Sequence, residues 1–199
     1  MRTVTKGKYS TVEIRDIAIS VLVLSVAFAL MFSNRGGFAE IEVLGLLCIS
    51  AVIVCASFVS HELAHKFAAQ RFGAWAEYRM FPAGLMLALM MSLFGVIFAA
   101  PGVVYIEGHI NRRENGVISA AGPGVNIILG FSALCLALIT SGILSSFFWI
   151  MASINAFFAV FNMIPIRPFD GSKIIKWNIF VYIAMLGAAI ALLGIVLFL

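Results

Sequence analysis

Charged residues are scarce in this sequence. Asp, Glu, Lys and Arg together make up 11% of the 199 residues, whereas 63% are hydrophobic, and the mean hydropathy is +1.10. A soluble domain of this length needs a polar shell, and these residues are too few to form one. The composition therefore excludes a soluble globular protein and predicts an integral, multi-pass membrane protein in contact with the lipid bilayer.

Cysteine is also rare. Cys48, Cys55 and Cys135 all lie in apolar segments, and no two of them form a C-x-x-C pair. This pattern excludes a disulfide framework and a thiolate metal site. No internal repeat or low-complexity tract is present, so residues 1–199 are interpreted as a single membrane domain with short loops. The net charge of +4 gives no indication of a nucleic-acid partner, and none is expected.

Long apolar stretches define the expected fold. About 20 apolar residues are needed to cross a bilayer as a helix. Five stretches satisfy this length without interruption, at roughly 16–33, 43–65, 117–140, 145–165 and 178–199. A sixth, 81–104, is long enough but is bracketed by F-P-A-G and A-P-G. The sequence predicts an all-α polytopic membrane protein with about five to six transmembrane helices and a re-entrant or β-hairpin segment near 81–104.

The positions of Lys and Arg favour the re-entrant form of 81–104. If this segment does not cross, 12 of the 13 basic residues lie on one side of the membrane, and only Arg35 faces the other. If it crosses, the division is seven against six. Basic residues collect on the cytoplasmic side, so the first topology is preferred and the N-terminus is expected in the cytoplasm of a prokaryotic cell. An ordinary sixth span is the alternative.

The motif H-E-L-A-H at residues 61–65 lies at the end of an apolar stretch. On a helix, His61 and His65 project from one face, at a spacing that suits two ligands of one tetrahedral zinc ion. Glu62 is placed to act as the general base of a hydrolysis. Ionisable residues inside a membrane span are costly and are commonly functional. A chance match is the alternative interpretation.

A catalytic zinc site needs a third protein ligand, and Asp170 is the favoured candidate. It follows Pro165 and Pro168, which stop the preceding helix, and precedes Gly171, which permits a turn. In the re-entrant topology Asp170 lies on the same side of the membrane as the two histidines. A plain loop turn is the alternative for this segment, and other candidate ligands are Glu77 and Glu107.

Together these motifs resemble the site-2 proteases, a family of intramembrane zinc metalloproteases. Their pattern combines H-E-x-x-H with N-x-x-P-x-x-P-x-D-G. The second motif is matched by the stretch N-M-I-P-I-R-P-F-D-G at 162–171. The stretch A-A-G-P-G-V-N at 120–126 also looks like a family motif. The resemblance covers a catalytic core of about residues 43–175, flanked by the spans 16–33 and 178–199. It implies one catalytic zinc ion held by His61, His65 and Asp170, with Glu62 as the general base. It further implies that Asn162 assists catalysis at the substrate carbonyl or oxyanion, with a hydrogen bond to another helix as the alternative. For Asn126 a bond to another helix is the favoured role, and a similar part in catalysis is the alternative.

The expected function is hydrolysis of peptide bonds within or near transmembrane segments of membrane protein substrates. Residues 103–106, V-V-Y-I, are expected to form an extended edge that pairs with the unwound substrate, with a plain apolar loop as the alternative. A metal-binding membrane transporter and a non-catalytic relative that binds membrane helices are the other candidate functions. The sequence leaves the oligomeric state open.

Overall fold

The computed structural model describes residues 9–34, 42–97 and 101–199. Within these ranges the helices and strands, in chain order, are α1 (Thr11–Asn34), α2 (Val43–Val54), a π-helical turn (Cys55–Val59), α3 (Ser60–Arg71), β1 (Trp75–Met80), α4 (Pro82–Ser92), β2 (Gly102–Glu107), α5 (Arg112–Ile139), α6 (Gly142–Asn162), α7 (Gly171–Trp177) and α8 (Ile179–Phe198).

Five helical segments of the described chain are long and apolar enough to cross a membrane. They are α1, the continuous segment Val43–Arg71 formed by α2, the π turn and α3, and the helices α5, α6 and α8. The prediction of a helical, polytopic membrane protein is therefore confirmed. Arg2, Lys6, Lys8 and Arg35, which entered the charge count, lie outside the described residues.

The segment near 81–104 is a hairpin. Strands β1 and β2 pair antiparallel, with Trp75 opposite Glu107 and Met80 opposite Gly102. Between them, α4 has 11 residues, about 16 Å of helix, which is about half the thickness of the hydrocarbon core. Because the chain leaves β1 and returns beside it at β2, the predicted hairpin near 81–104 is confirmed, and α4 is too short to be an ordinary sixth span.

Helix α5 lies at the centre and packs against α3, α6, α7 and α8. Ala133 of α5 and Ala152 and Ala156 of α6 lie in one buried cluster. Small side chains of this kind allow two helix backbones to approach closely in a membrane. The fully or almost fully buried alanines of these two helices are Ala133, Ala137, Ala152, Ala156 and Ala159. This close packing holds the polar residues of α3, α5 and α6 at fixed positions within the bundle.

The end of α6 follows from its sequence. The helix ends at Asn162, three residues before Pro165, because a proline disfavours helical backbone in the residue before it. The chain then passes through a non-helical segment to Asp170, which immediately precedes α7. Asp170 is therefore held on irregular backbone between two helices, as the sequence predicted.

Candidate metal centre

His61 and His65 lie one turn apart on α3 and point to the same side. Their Nε2 atoms are 3.0 Å apart, and both residues are buried. This is the arrangement that the H-E-x-x-H spacing predicts for a helix. Glu62, between them, lies beside the pair and is partly exposed to the same cavity.

Asp170 completes the cluster. Its Oδ2 lies 3.0 Å from Nε2 of His65 and 3.6 Å from Nε2 of His61. A tetrahedral zinc with bonds of about 2.0–2.1 Å separates its ligand atoms by about 3.3–3.4 Å. The three measured separations bracket this value, and two imidazoles with one carboxylate are a donor set that zinc accepts. The residues therefore fit a zinc ion.

The electrostatics of Asp170 suit a carboxylate ligand. Burial raises the pKa of its carboxyl group, but His65 and His61 more than offset burial and hold the pKa well below its usual range. Its second oxygen, Oδ1, lies 3.6 Å from Nζ of Lys173. Oδ2 faces the histidines while Oδ1 faces a lysine, so the two oxygens have separate partners.

A cavity of about 480 Å³ connects this cluster to strand β2. The side chains of His61, Glu62, His65 and Asp170 line one end, and residues 102–106 of β2 line another. Aromatic side chains form much of the remaining wall, and they are Phe58, Phe81, Phe158, Phe161 and Phe169. The cavity wall is thus mostly apolar, and the residues of the metal cluster are among its polar groups.

Comparisons with known proteins identify the family. The sequence model described as "Peptidase family M50" matches residues 138–187. A protein of Methanocaldococcus jannaschii named "Putative zinc metalloprotease MJ0611" is 40% identical over 180 residues, which cover 88% of this chain and 89% of that protein. The chain belongs to peptidase family M50.

Two further relatives of this M50 peptidase are more distant. "Putative zinc metalloprotease YwhC" of Bacillus subtilis is 32% identical over 67% of this chain and 70% of its own length. "Putative zinc metalloprotease Rip3" of Mycobacterium tuberculosis is 30% identical over 71% of this chain and 33% of its own length. No solved structure matches the chain. The predicted resemblance to the site-2 proteases is confirmed by the family match.

The other predicted site residues lie at varying distances from the metal cluster. Asn162 lines the cavity, but its Nδ2 donates a hydrogen bond of 3.0 Å to the carbonyl of Phe158, within its own helix. Glu77 pairs with Arg79, and Glu107 ends β2. Among the described residues, the acidic member of the metal cluster is Asp170.

Two features of the M50 peptidase site were not predicted as site residues. Gly122 on α5 packs directly onto the histidine rings, since a Cβ built there would lie 2.4 Å from Nε2 of His65 and 2.6 Å from Nε2 of His61. Asn126, one turn later, accepts a hydrogen bond from Nδ1 of His61 at 2.5 Å. Both fall in the G-P-x-x-N stretch of α5, where a glycine and an asparagine within an apolar span were the available signals.

Proposed function

We propose that this chain cleaves membrane-spanning protein substrates at the centre formed by His61, His65 and Asp170, with Glu62 as general base. The chain is an integral membrane protein and a zinc metallopeptidase, as its apolar helices, its family and its metal cluster together indicate. Its N-terminus is proposed to lie in the cytoplasm of a prokaryotic cell. The observation that carries the proposed cleavage is the convergence of three ligand atoms beside Glu62 in an apolar cavity.

The chemistry assigned to the chain is general acid–base catalysis. When bound at the cluster, zinc supplies Lewis acidity, which polarises the scissile carbonyl and makes water more acidic. Glu62 accepts a proton from the attacking water and donates it to the leaving amine nitrogen. Asn162 is proposed to donate its amide N–H to the developing oxyanion, which requires its side chain to release the carbonyl of Phe158.

Strand β2 is proposed to bind the substrate backbone. The N–H groups of Tyr78 and Met80 on β1 point away from β2, because they donate to the carboxylates of Glu13 and Asp16 on α1. In an antiparallel pair of strands, hydrogen-bonded and non-hydrogen-bonded residue pairs alternate. Tyr78 and Met80 belong to non-hydrogen-bonded pairs, so the residues opposite them on β2, Val104 and Gly102, also direct their N–H and C=O groups outward. Ile106 shares this orientation. The outer edge of β1 is covered by α1, whereas residues 102–106 of β2 line the cavity.

An unwound substrate segment could therefore add to β2 as a third strand. Backbone pairing of this kind recognises extended peptides independently of their side chains. It also satisfies the backbone groups that the substrate exposes when its helix unwinds, which would otherwise be unpaired in an apolar cavity. The edge and the metal cluster line the same cavity, so a strand bound at the edge presents its backbone to Glu62.

Metal content and cleavage, measured on the same protein samples, test the catalytic assignment. The substrate is a mixture of labelled single-span peptides of varied sequence in detergent micelles, with products identified by mass spectrometry. Wild-type protein and Glu62→Gln are expected to bind about one zinc per chain, and Glu62→Gln is expected to cleave about 10²- to 10⁴-fold more slowly. Asp170→Ala is expected to lose both zinc and cleavage. Undiminished cleavage by Glu62→Gln would contradict the proposal, and so would full zinc content in Asp170→Ala.

The edge is tested with Ile106→Pro, which removes one outward N–H, and with Ile106→Val as the matched control that keeps it. Proline is tolerated on edge strands, so the hairpin is expected to remain paired. Cleavage by Ile106→Pro should fall while zinc content stays at the wild-type value. Equal cleavage by the two variants would exclude pairing at this edge.

A further inference from the structure

Three buried polar residues lie behind His61, on the side of its ring away from Nε2. Asn126 on α5, Asn155 on α6 and Ser57 in the π turn are each 0% exposed. We call these three residues the asparagine network. Buried polar side chains between membrane helices are kept only where their hydrogen bonds are satisfied, and every bond of this network can be followed from atom to atom.

Backbone carbonyls determine how both amides are oriented. Nδ2 of Asn155 donates to the carbonyl of Met151 at 2.9 Å, and Nδ2 of Asn126 donates to the carbonyl of Ser57 at 2.9 Å. A carbonyl oxygen can only accept a hydrogen bond, so each amide nitrogen must face its carbonyl. The two carbonyls therefore fix the orientation of both amides.

The consequence passes along the network to His61. With its nitrogen turned to Met151, Asn155 presents Oδ1 to Nδ2 of Asn126 at 2.9 Å. Asn126 must then present its own Oδ1 to Nδ1 of His61, at 2.5 Å. An amide oxygen only accepts, so Nδ1 of His61 must carry a hydrogen. A neutral imidazole with hydrogen on Nδ1 has its lone pair on Nε2, the atom that faces Asp170 and His65.

His65 reaches the same state by a different route. Its Nδ1 lies 2.8 Å from the backbone carbonyl of Ile118 on α5, which requires a hydrogen on that nitrogen. A backbone carbonyl cannot rotate or flip, whereas a side-chain amide can. The two ligands therefore differ: the tautomer of His65 is set by the main chain of α5, and that of His61 depends on side chains.

We propose that Asn155 is a positioning residue of the metal centre, which holds Asn126 in the orientation that keeps His61 ready to bind metal through Nε2. Asn155 also donates to Oγ of Ser57 at 2.9 Å, so it anchors the network to the π turn one turn before His61. Without Asn155, the amide of Asn126 loses one of the two acceptors that fix its nitrogen, and rotation of this amide becomes easier. This inference rests on the proposed role of His61 as a metal ligand.

Zinc affinity, measured by competition with a chelator, provides the first test. Loss of a residue that orients a ligand histidine typically weakens metal binding by about 10- to 100-fold, and this is expected for Asn155→Ala. Asn155→Asp keeps an oxygen that accepts from Asn126 but loses the donors to Met151 and Ser57, so its affinity should lie between those of Asn155→Ala and the wild type. Ser153→Ala, on the same helix but bonded to the carbonyl of Trp149, is the control and should not change the affinity. Wild-type affinity in Asn155→Ala would overturn the proposal.

Imidazole NMR separates positioning from general loss of structure. The chain has three histidines, so ¹⁵N-histidine labelling of the zinc-loaded protein gives a spectrum with few signals. In the wild type, His61 should carry its hydrogen on Nδ1. A hydrogen on Nε2 of His61 would overturn the proposal without any variant. In Asn155→Ala, the His61 N–H signal should shift or exchange faster while that of His65 stays in place, and equal changes in both rings would also overturn it.

A further variant keeps this inference separate from the proposed function. If His61→Ala binds zinc as tightly as wild type, the proposed ligand set is wrong. If His61→Ala loses zinc but Asn155→Ala does not, the ligand set stands and the role of Asn155 is wrong.

Discussion

Gly122 offers a direct test of how closely α5 packs against the metal cluster. A methyl group at this position would lie 2.4 Å from Nε2 of His65 and 2.6 Å from Nε2 of His61. Ordinary contact between such atoms begins near 3.5 Å, so Gly122→Ala requires the rings or α5 to move by about 1 Å. The two atoms that must move are the proposed zinc-binding atoms themselves.

The size of this displacement determines the expected effect. Metal–ligand distances in a competent site lie within about 0.2 Å of their preferred values, and a shift of about 1 Å exceeds this tolerance several-fold. We therefore expect Gly122→Ala to weaken zinc binding at least about 100-fold. Alanine is a better helix former than glycine by about 1 kcal/mol, so the backbone of α5 is not the source of the loss.

Gly124→Ala is the matched control for this variant. It lies on the same helix two residues later, and a Cβ there would meet only Cε of Met185 at 3.9 Å, an ordinary contact. Both variants are purified in detergent, checked for folding by thermal melting with chelator present, and compared in zinc competition titrations. Wild-type affinity in Gly122→Ala would refute the reasoning, as would equal losses in the two variants.

A buried ion pair and a glycine turn hold the elements around the metal cluster in place. Glu13 and Lys66 form an ion pair in which both side chains are fully buried; removing one partner of such a pair costs about 3–5 kcal/mol. Glu13→Gln should therefore lower the melting temperature clearly, and adding Lys66→Met should recover part of the loss; a lower melting temperature in the double variant would contradict this. A Cβ on Gly171 would lie 2.2 Å from the carbonyl oxygen of Met163, so Gly171→Ala should displace Asp170 and lower zinc content, and unchanged zinc content would show that the turn can adjust.

The metal ligands could be predicted because the sequence shows either their spacing on one helix or the side of the membrane on which they lie. The spacing of His61 and His65 fixes their common face on any helix, independently of the rest of the fold. Asp170 is 105 residues after His65, and it was assigned by combining proline and glycine positions with the side of the membrane. That step depended on the hairpin near 81–104, which the distribution of basic residues had favoured.

Contacts between helices could not be predicted in the same way. Asn155 reaches His61 only through Asn126, and which faces of α3, α5 and α6 meet depends on the packing of small residues along α5 and α6. The boundaries of the spans were approximate for a related reason. The stretch 43–65 was predicted from hydropathy, but the helix continues to Arg71, because Lys66 and Gln70 are buried by neighbouring elements where hydropathy would place them in water.

A charged residue in the first turn of α1 connects several elements around the metal cluster. Glu13 accepts the outward N–H of Tyr78 at 3.0 Å and pairs with Lys66, the residue after His65. One buried carboxylate therefore links α1, β1 and α3. Since β1 carries β2 by backbone pairing, this carboxylate helps to fix the position of the hairpin relative to α3 and the metal cluster. Any motion of α1 must either carry both β1 and α3 with it or break the contacts of this fully buried carboxylate.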